Sequence, residues 1–235
     1  MVRGGWLAAS LVLAACSNSE TKPADTVQVP VDAPTRVPAP TPDERVRVLF
    51  VGTSLTAGLG IDPDSSYPAL IQQMADSGGL AVQVVNAGLS GETSAGALRR
   101  VDWLLRDRAD VVVIETGAND GLRGLEPDTT AANIVGIVAK VRAANPRVRI
   151  LLAQMEAPPN LGQSYTRRFH DLFFNVAADH AVTLIPFLLD GVAGVPSLNQ
   201  PDGIHPTEAG ARIAARNVWR TLAPVLREVP GALVR

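Results

Sequence analysis

One serine in this chain lies between glycines at the end of an apolar run. Val46-Arg47-Val48-Leu49-Phe50-Val51 leads directly into Gly52-Thr53-Ser54-Leu55-Thr56-Ala57-Gly58. Glycines there allow a tight turn that projects the Ser54 hydroxyl into a cleft. The segment is not the Gly-x-Ser-x-Gly elbow, because residue 56 is Thr. It is not a phosphate-binding Walker loop, because no Lys follows. A hydroxyl nucleophile needs a base, and the base needs a carboxylate to fix its tautomer. Asp202-Gly203-Ile204-His205-Pro206 holds both types in one glycine-containing turn. His170 lies inside an amphipathic stretch and His180 at its end, where packing or helix-terminal roles account for them. Asn119, in Gly117-Ala118-Asn119-Asp120, offers a side-chain amide that can donate to a developing oxyanion. Asn86-Ala87-Gly88-Leu89-Ser90-Gly91-Glu92-Thr93 opens a helix, where backbone N–H groups can hold an anion. Each segment also has a bland reading, as a helix cap, a turn or a connecting loop. Their joint occurrence is harder to explain that way.

The elements that must position these residues alternate along the chain. Strands are expected at 46–51, 81–86, 111–114, 148–154 and 182–185. Helices are expected at 67–75, 94–106, 130–144, 165–180 and 207–226, the first capped by Ser65 or Ser66 and the last opened by Pro206. Val111-Val112-Val113-Ile114 is apolar throughout, as in a strand covered on both faces. The β-α repetition predicts a flavodoxin-like three-layer α/β/α sandwich with a central, mainly five-stranded parallel sheet. In such folds chemistry gathers beyond the carboxyl ends of the strands. The segments carrying Ser54, Gly91 and Asn119 each follow a predicted strand.

Taken together, these blocks resemble the SGNH, or GDSL, hydrolase family. The likeness spans residues 46–226 and is similar above all to the bacterial lysophospholipase/thioesterase and arylesterase members. It implies a serine ester hydrolase with Ser54 as nucleophile, His205 as base and Asp202 as the acid that orients it. The implied oxyanion hole consists of the Ser54 and Gly91 backbone N–H groups and the Asn119 amide. One departure stands out: Thr53 occupies the position where the family's name-giving Asp usually precedes the Ser. The resemblance places the acyl groove beside residues 121–126, where Leu122 and Leu125 offer apolar surface to an acyl chain or pack against the core. A small acyl-ester or lipid substrate is implied, with aryl, short-acyl or lysophospholipid esters first in line. A thioester or a carbohydrate O-acetyl group is the alternative on the same residues. A non-catalytic binding lipoprotein is the alternative of another class. No cofactor and no metal is implied, and a monomer is expected.

Composition narrows the field further. The chain has 235 residues, of which 46% are apolar, enough to build a core and to exclude a wholly disordered protein. Its single Cys, Cys16, excludes an intrachain disulfide and a Cys-based zinc cluster. With three His, a multi-His metal site would consume nearly all of them. The net charge of −2 lacks the basic excess of a nucleic-acid binder.

That charge belongs to the N-terminal zones. Residues 1–15 carry Arg3 and a ten-residue apolar run, Trp6 to Ala15, too short to span a bilayer but suited to a signal peptide. Leu13-Ala14-Ala15-Cys16 resembles a bacterial lipobox, in which Cys16 carries the lipid; an ordinary signal peptide with an incidental Cys is the alternative. Residues 16–44 follow as a tether with six prolines. At ~3.1 Å per residue its reach is at most roughly 90 Å. Residues 45–235 carry 18 acids and 18 bases and suit one domain. The expected address is the bacterial cell envelope, on the periplasmic side, with attachment to a membrane through the N-terminal lipid; Ser17 after the Cys is compatible with the outer membrane.

Overall fold

The computed structural model describes residues 45–233. The leader, Cys16 and the tether lie outside the described residues. Five strands form one parallel sheet: β1 (Val46–Gly52), β2 (Val82–Gly88), β3 (Val111–Ile114), β4 (Arg149–Ala153) and β5 (Thr183–Ile185). Their spatial order is β2-β1-β3-β4-β5. Helices α1 (Ser54–Ala57), α2 (Tyr67–Ser77), α3 (Ser94–Leu104), α4 (Ala118–Leu122), α5 (Pro127–Ala144), α6 (Gln163–Asp179) and α7 (Glu208–Glu228) connect and flank them.

The order of strands dictates the layers. The chain steps one way from β1 to β2, then the other way through β3, β4 and β5. Right-handed crossovers therefore put α2 on one face and α3, α5 and α6 on the other. The contacts agree: α2 packs on α7, α3 on α5, and α5 on α6. Both faces are covered, so β1 and β3 are buried along nearly their whole length. The sequence-based architecture is the one observed.

The differences are local. α1 and α4 are single turns, too short for helical periodicity to reveal. α5 starts at Pro127, three residues earlier than expected, because Pro suits the first helical position. α2 is capped by Ser66, whose hydroxyl donates to the Pro63 carbonyl (2.7 Å) rather than accepting from the helix. Thr207 precedes α7 and accepts from Gly210 N, so the helix proper begins at Glu208. β2 runs on to Gly88, paired with Gly52 in register. That pairing sets the Ser54 turn against the loop that follows β2.

Candidate functional site

The site is built where β1, β2 and β3 end. β1 lies between its two neighbours, so Ser54, Gly91 and Asn119 all leave the sheet at its carboxyl edge, at the point where the strand order reverses. Ser54 is the first residue of α1. Gly52, two residues before it, has no room for a side chain: a Cβ there would lie 1.9 Å from Thr56 Oγ1 and 2.8 Å from Glu115 Oε2. Gly58 closes the turn with φ 75°.

His205 comes from the loop before α7. Its Nε2 lies 2.9 Å from Ser54 Oγ, and its Nδ1 lies 2.6 Å from Asp202 Oδ2. The other carboxylate oxygen, Oδ1, accepts from the backbone N–H groups of Ile204 (2.9 Å) and His205 (3.0 Å). Asp202 therefore shapes its own turn while addressing the imidazole. The hydrogen bonds from His205 and the two backbone donors hold its carboxyl down at about 2. Gln200 fixes the loop to the serine side. Its backbone N–H donates to the His205 carbonyl (2.7 Å), and its side chain donates to the Leu59 carbonyl (2.7 Å) beyond α1.

Of the groups expected to hold an oxyanion, the Ser54 N–H follows β1, and Gly91 and Asn119 follow β2 and β3. Among the described residues, neither the Ser54 nor the Gly91 backbone N–H has a protein acceptor. Gly91 has φ 77°, in the left-handed region where a side chain is strained, although the space beside it is open. Asn119 sits in the first turn of α4 and donates one amide hydrogen to the Glu92 carbonyl (3.0 Å). A side-chain amide carries two hydrogens, so one remains for a ligand. α4 can lie close to the core because of its glycines. Phe173 fills the space beside Gly117, and Phe169 that beside Gly121, at 3.2 and 3.0 Å from a notional Cβ.

Three carboxylates that sequence reasoning did not single out hold this arrangement from beneath. Glu115, fully buried at the end of β3, accepts from the Thr53 N–H (2.8 Å) and from the hydroxyls of Thr53 (3.0 Å) and Thr56 (2.8 Å). Burial dominates and pushes its carboxyl up to about 7, against those hydrogen bonds. Glu92 forms a two-pronged pair with Arg100, each bond 2.6 Å long. The same guanidinium donates to the carbonyls of Gly52 (3.2 Å) and Ala87 (2.8 Å), tying the ends of β1 and β2 together. Asp120 accepts from Ser94 N (2.8 Å) and Ser94 Oγ (2.5 Å), which fastens the start of α3 to α4. The available signal was an acid inside or beside each block, and acids in turns are too common to carry weight alone.

The remaining candidates fall as follows. Leu122 and Leu125 are 44% and 41% exposed, so they are not core residues. His170 is not brought to Ser54. It pairs instead with Glu156 (2.7 Å) after β4. His180 ends α6, and its carbonyl accepts from Arg142.

Comparison with known proteins decides the family. The profile of the GDSL-like lipase/acylhydrolase family matches residues 50–213. The chain belongs to that family. It is 42% identical over 180 residues to the esterase TesA of Pseudomonas aeruginosa, covering 76% of this chain and 89% of that one. It is 34% identical over 161 residues to an arylesterase of Vibrio mimicus, covering 68% and 80%. It is equally 34% identical, over 180 residues, to thioesterase 1/protease 1/lysophospholipase L1 of Escherichia coli, covering 76% and 84%. Among solved structures, that of TesA superposes with a TM-score of 0.73 at 41% identity, covering 76% of this chain and 99% of that one. The psychrotrophic esterase EstA of a Pseudoalteromonas species, inhibited by monoethylphosphonate, gives 0.73 at 32% identity, covering 78% and 100%. Within this GDSL-like hydrolase, both segments that supply the Ser–His–Asp chain fall inside the matched residues.

Proposed function

We propose that this protein hydrolyses carboxylic esters through Ser54, His205 and Asp202. The observation that carries the reading is the unbroken chain from Ser54 Oγ through His205 to Asp202, at 2.9 and 2.6 Å. His205 Nε2 takes the Ser54 proton as Oγ bonds to the acyl carbonyl carbon. The carbonyl π pair moves onto oxygen, where Ser54 N–H, Gly91 N–H and the Asn119 amide receive it. His205 returns the proton to the leaving alkoxide as the ester C–O bond breaks. Water, deprotonated by the same imidazole, then attacks the acyl carbon; the acyl–Oγ bond breaks, the imidazolium returns its proton to Ser54 Oγ, and the acid is released. Asp202 stays ionised and stabilises the imidazolium.

Aryl, short-acyl and lysophospholipid esters are the substrates best supported. The named activities of the relatives and the exposed Leu122, at the end of α4, and Leu125, just after it, support an apolar acyl chain. The address belongs to the same proposal: residues 1–15 form a cleaved leader, Cys16 carries lipid and residues 16–44 tether the domain to the bacterial envelope. An envelope location disfavours acyl-CoA, so an oxygen ester is preferred over a CoA thioester. The test is an acyl-chain-length series of p-nitrophenyl esters with wild type and Ser54→Ala side by side. Turnover by wild type and none by a folded Ser54→Ala is expected; equal turnover by both refutes the assignment. Covalent labelling of Ser54 by a fluorophosphonate excludes a binding-only protein. Mass spectrometry of the mature N-terminus checks the lipid, and an unmodified terminus overturns the address while leaving the chemistry.

A further inference from the structure

We propose that Glu115 is a positioning residue for the nucleophile turn, and that Thr53 is the partner through which it acts. The inference rests on Ser54 being the nucleophile. Its basis is the number of hydrogens aimed at one buried carboxylate. Thr53 N–H, Thr53 Oγ1–H and Thr56 Oγ1–H all point to Glu115, from 2.8 to 3.0 Å. The first two belong to the residue immediately before Ser54, and the third to the residue two after it. Glu115 thus grips the turn on both sides of the nucleophile from the adjacent strand, β3. Thr56 gives its hydrogen to Glu115, so Tyr67 on α2 donates its own hydroxyl hydrogen to Thr56 Oγ1 (2.7 Å). The side chain has no latitude: Gly52 is pressed against both Thr56 and Glu115. Among the described residues, Tyr67 reaches this network from α2 through Thr56, and Arg100 from α3 reaches the neighbouring Gly52 carbonyl.

This geometry also explains the departure at position 53. With a second carboxyl there, one of the pair would have to bind a proton, because two adjacent carboxylates repel. Threonine presents an O–H to Glu115 without taking up a proton. Its hydroxyl is therefore part of the grip and not a neutral filler.

Three variants test this: Glu115→Gln, Thr53→Val and Thr53→Ser. In Glu115→Gln a single amide oxygen must serve three hydrogens, and the amide adds two N–H groups of its own. A displacement of Ser54 Oγ on the order of 1 Å lowers kcat by about 10- to 100-fold. The expected result is that loss in Glu115→Gln and in Thr53→Val, with KM within about twofold of wild type, since the positioning affects only the reacting atoms. Thr53→Ser keeps the O–H and recovers most of the kcat lost in Thr53→Val. Fluorophosphonate labelling slows in parallel with kcat. A generally loosened structure would instead raise KM, and Ser would rescue no better than Val. Should Glu115→Gln fail to fold, the Val and Ser pair decides the matter alone. Wild-type kcat in Thr53→Val, or no advantage of Ser over Val, overturns the inference while leaving the serine mechanism standing. Ser54→Ala turning over like wild type overturns both.

Discussion

Glu115 makes the stability of this domain depend on pH, with a sign that can be worked out. Its carboxyl rises from an ordinary 4.5 to about 7 in the folded protein, chiefly because burial disfavours the charge. Between those two values the folded chain binds a proton that the unfolded chain has already released. Stability therefore falls as pH rises through this window, since the unfolded state binds fewer protons there. The contribution is fully present below about 4.5 and lost above about 7. The shift corresponds to about 3 kcal/mol. For a domain of this size that is roughly 6–12 °C in melting temperature. Asp202, held at about 2, is ionised across the window and adds no slope to it. The assay is urea unfolding at half-unit steps from pH 4 to 8.5, for wild type and Glu115→Gln. Subtracting the two curves cancels every other titrating group. The difference should move against wild type by about 3 kcal/mol from the acid to the alkaline end. Curves parallel within about 1 kcal/mol, or a difference of the opposite sign, would refute the claim that burial outweighs the three hydrogen bonds at Glu115.

Three further outcomes follow from the site. Asn119→Ala should lower kcat by about 10²- to 10³-fold with little change in KM, because one of the proposed oxyanion donors is removed; steady-state kinetics on a p-nitrophenyl ester checks it. Asp202→Asn should cost about 10³- to 10⁴-fold in kcat. Asn can keep the bonds from Ile204 and His205 through its oxygen, but its N–H then faces Nδ1, which shifts the ring proton to Nε2 where a base is required; a variant with normal kcat would contradict that role. Arg100→Met leaves the Glu92 side chain, 4% exposed, without its partner. A cost of about 3–5 kcal/mol is expected, with much of it recovered in Glu92→Leu/Arg100→Met, measured by thermal or urea melts.

How much of this was legible in the sequence follows from the kind of signal each part sends. Apolar runs separated by amphipathic stretches describe strands covered on both faces, so the five strands and the long helices could be read within a few residues. Short turns send no periodic signal, and α1 and α4, which carry Ser54 and Asn119, were expected only as loops. The residues proposed to meet a ligand were legible for a different reason. Ser54 and Asn119 follow strands beside glycines, and Asp202 and His205 share a glycine-containing turn before α7, all placed where burial and packing do not require them. The residues that hold those groups still were not legible. Glu115, Glu92 and Asp120 each look like an ordinary acid near a turn, and only the fold reveals that they are buried and what donates to them.

That difference bears on how the site works. The atoms proposed to react, Ser54 Oγ, His205 and the oxyanion donors, face a cleft that must admit substrate and water. They cannot be held by dense apolar packing on that side. Position is supplied from below, by carboxylates that convert loop backbone into fixed geometry: Glu115 through Thr53, Glu92 through Arg100 and Asp120 through Ser94. Burying a carboxylate opposes its charge, so each of these acids depends on its hydrogen-bond or ion-pair partners to be held there. At Glu115 the conflict is visible in a single group. The form that receives the three hydrogens best is the charged one, and the form the surroundings tolerate best is the neutral one. The Ser54 turn is therefore expected to be most firmly gripped under conditions where the domain is less stable than it could be.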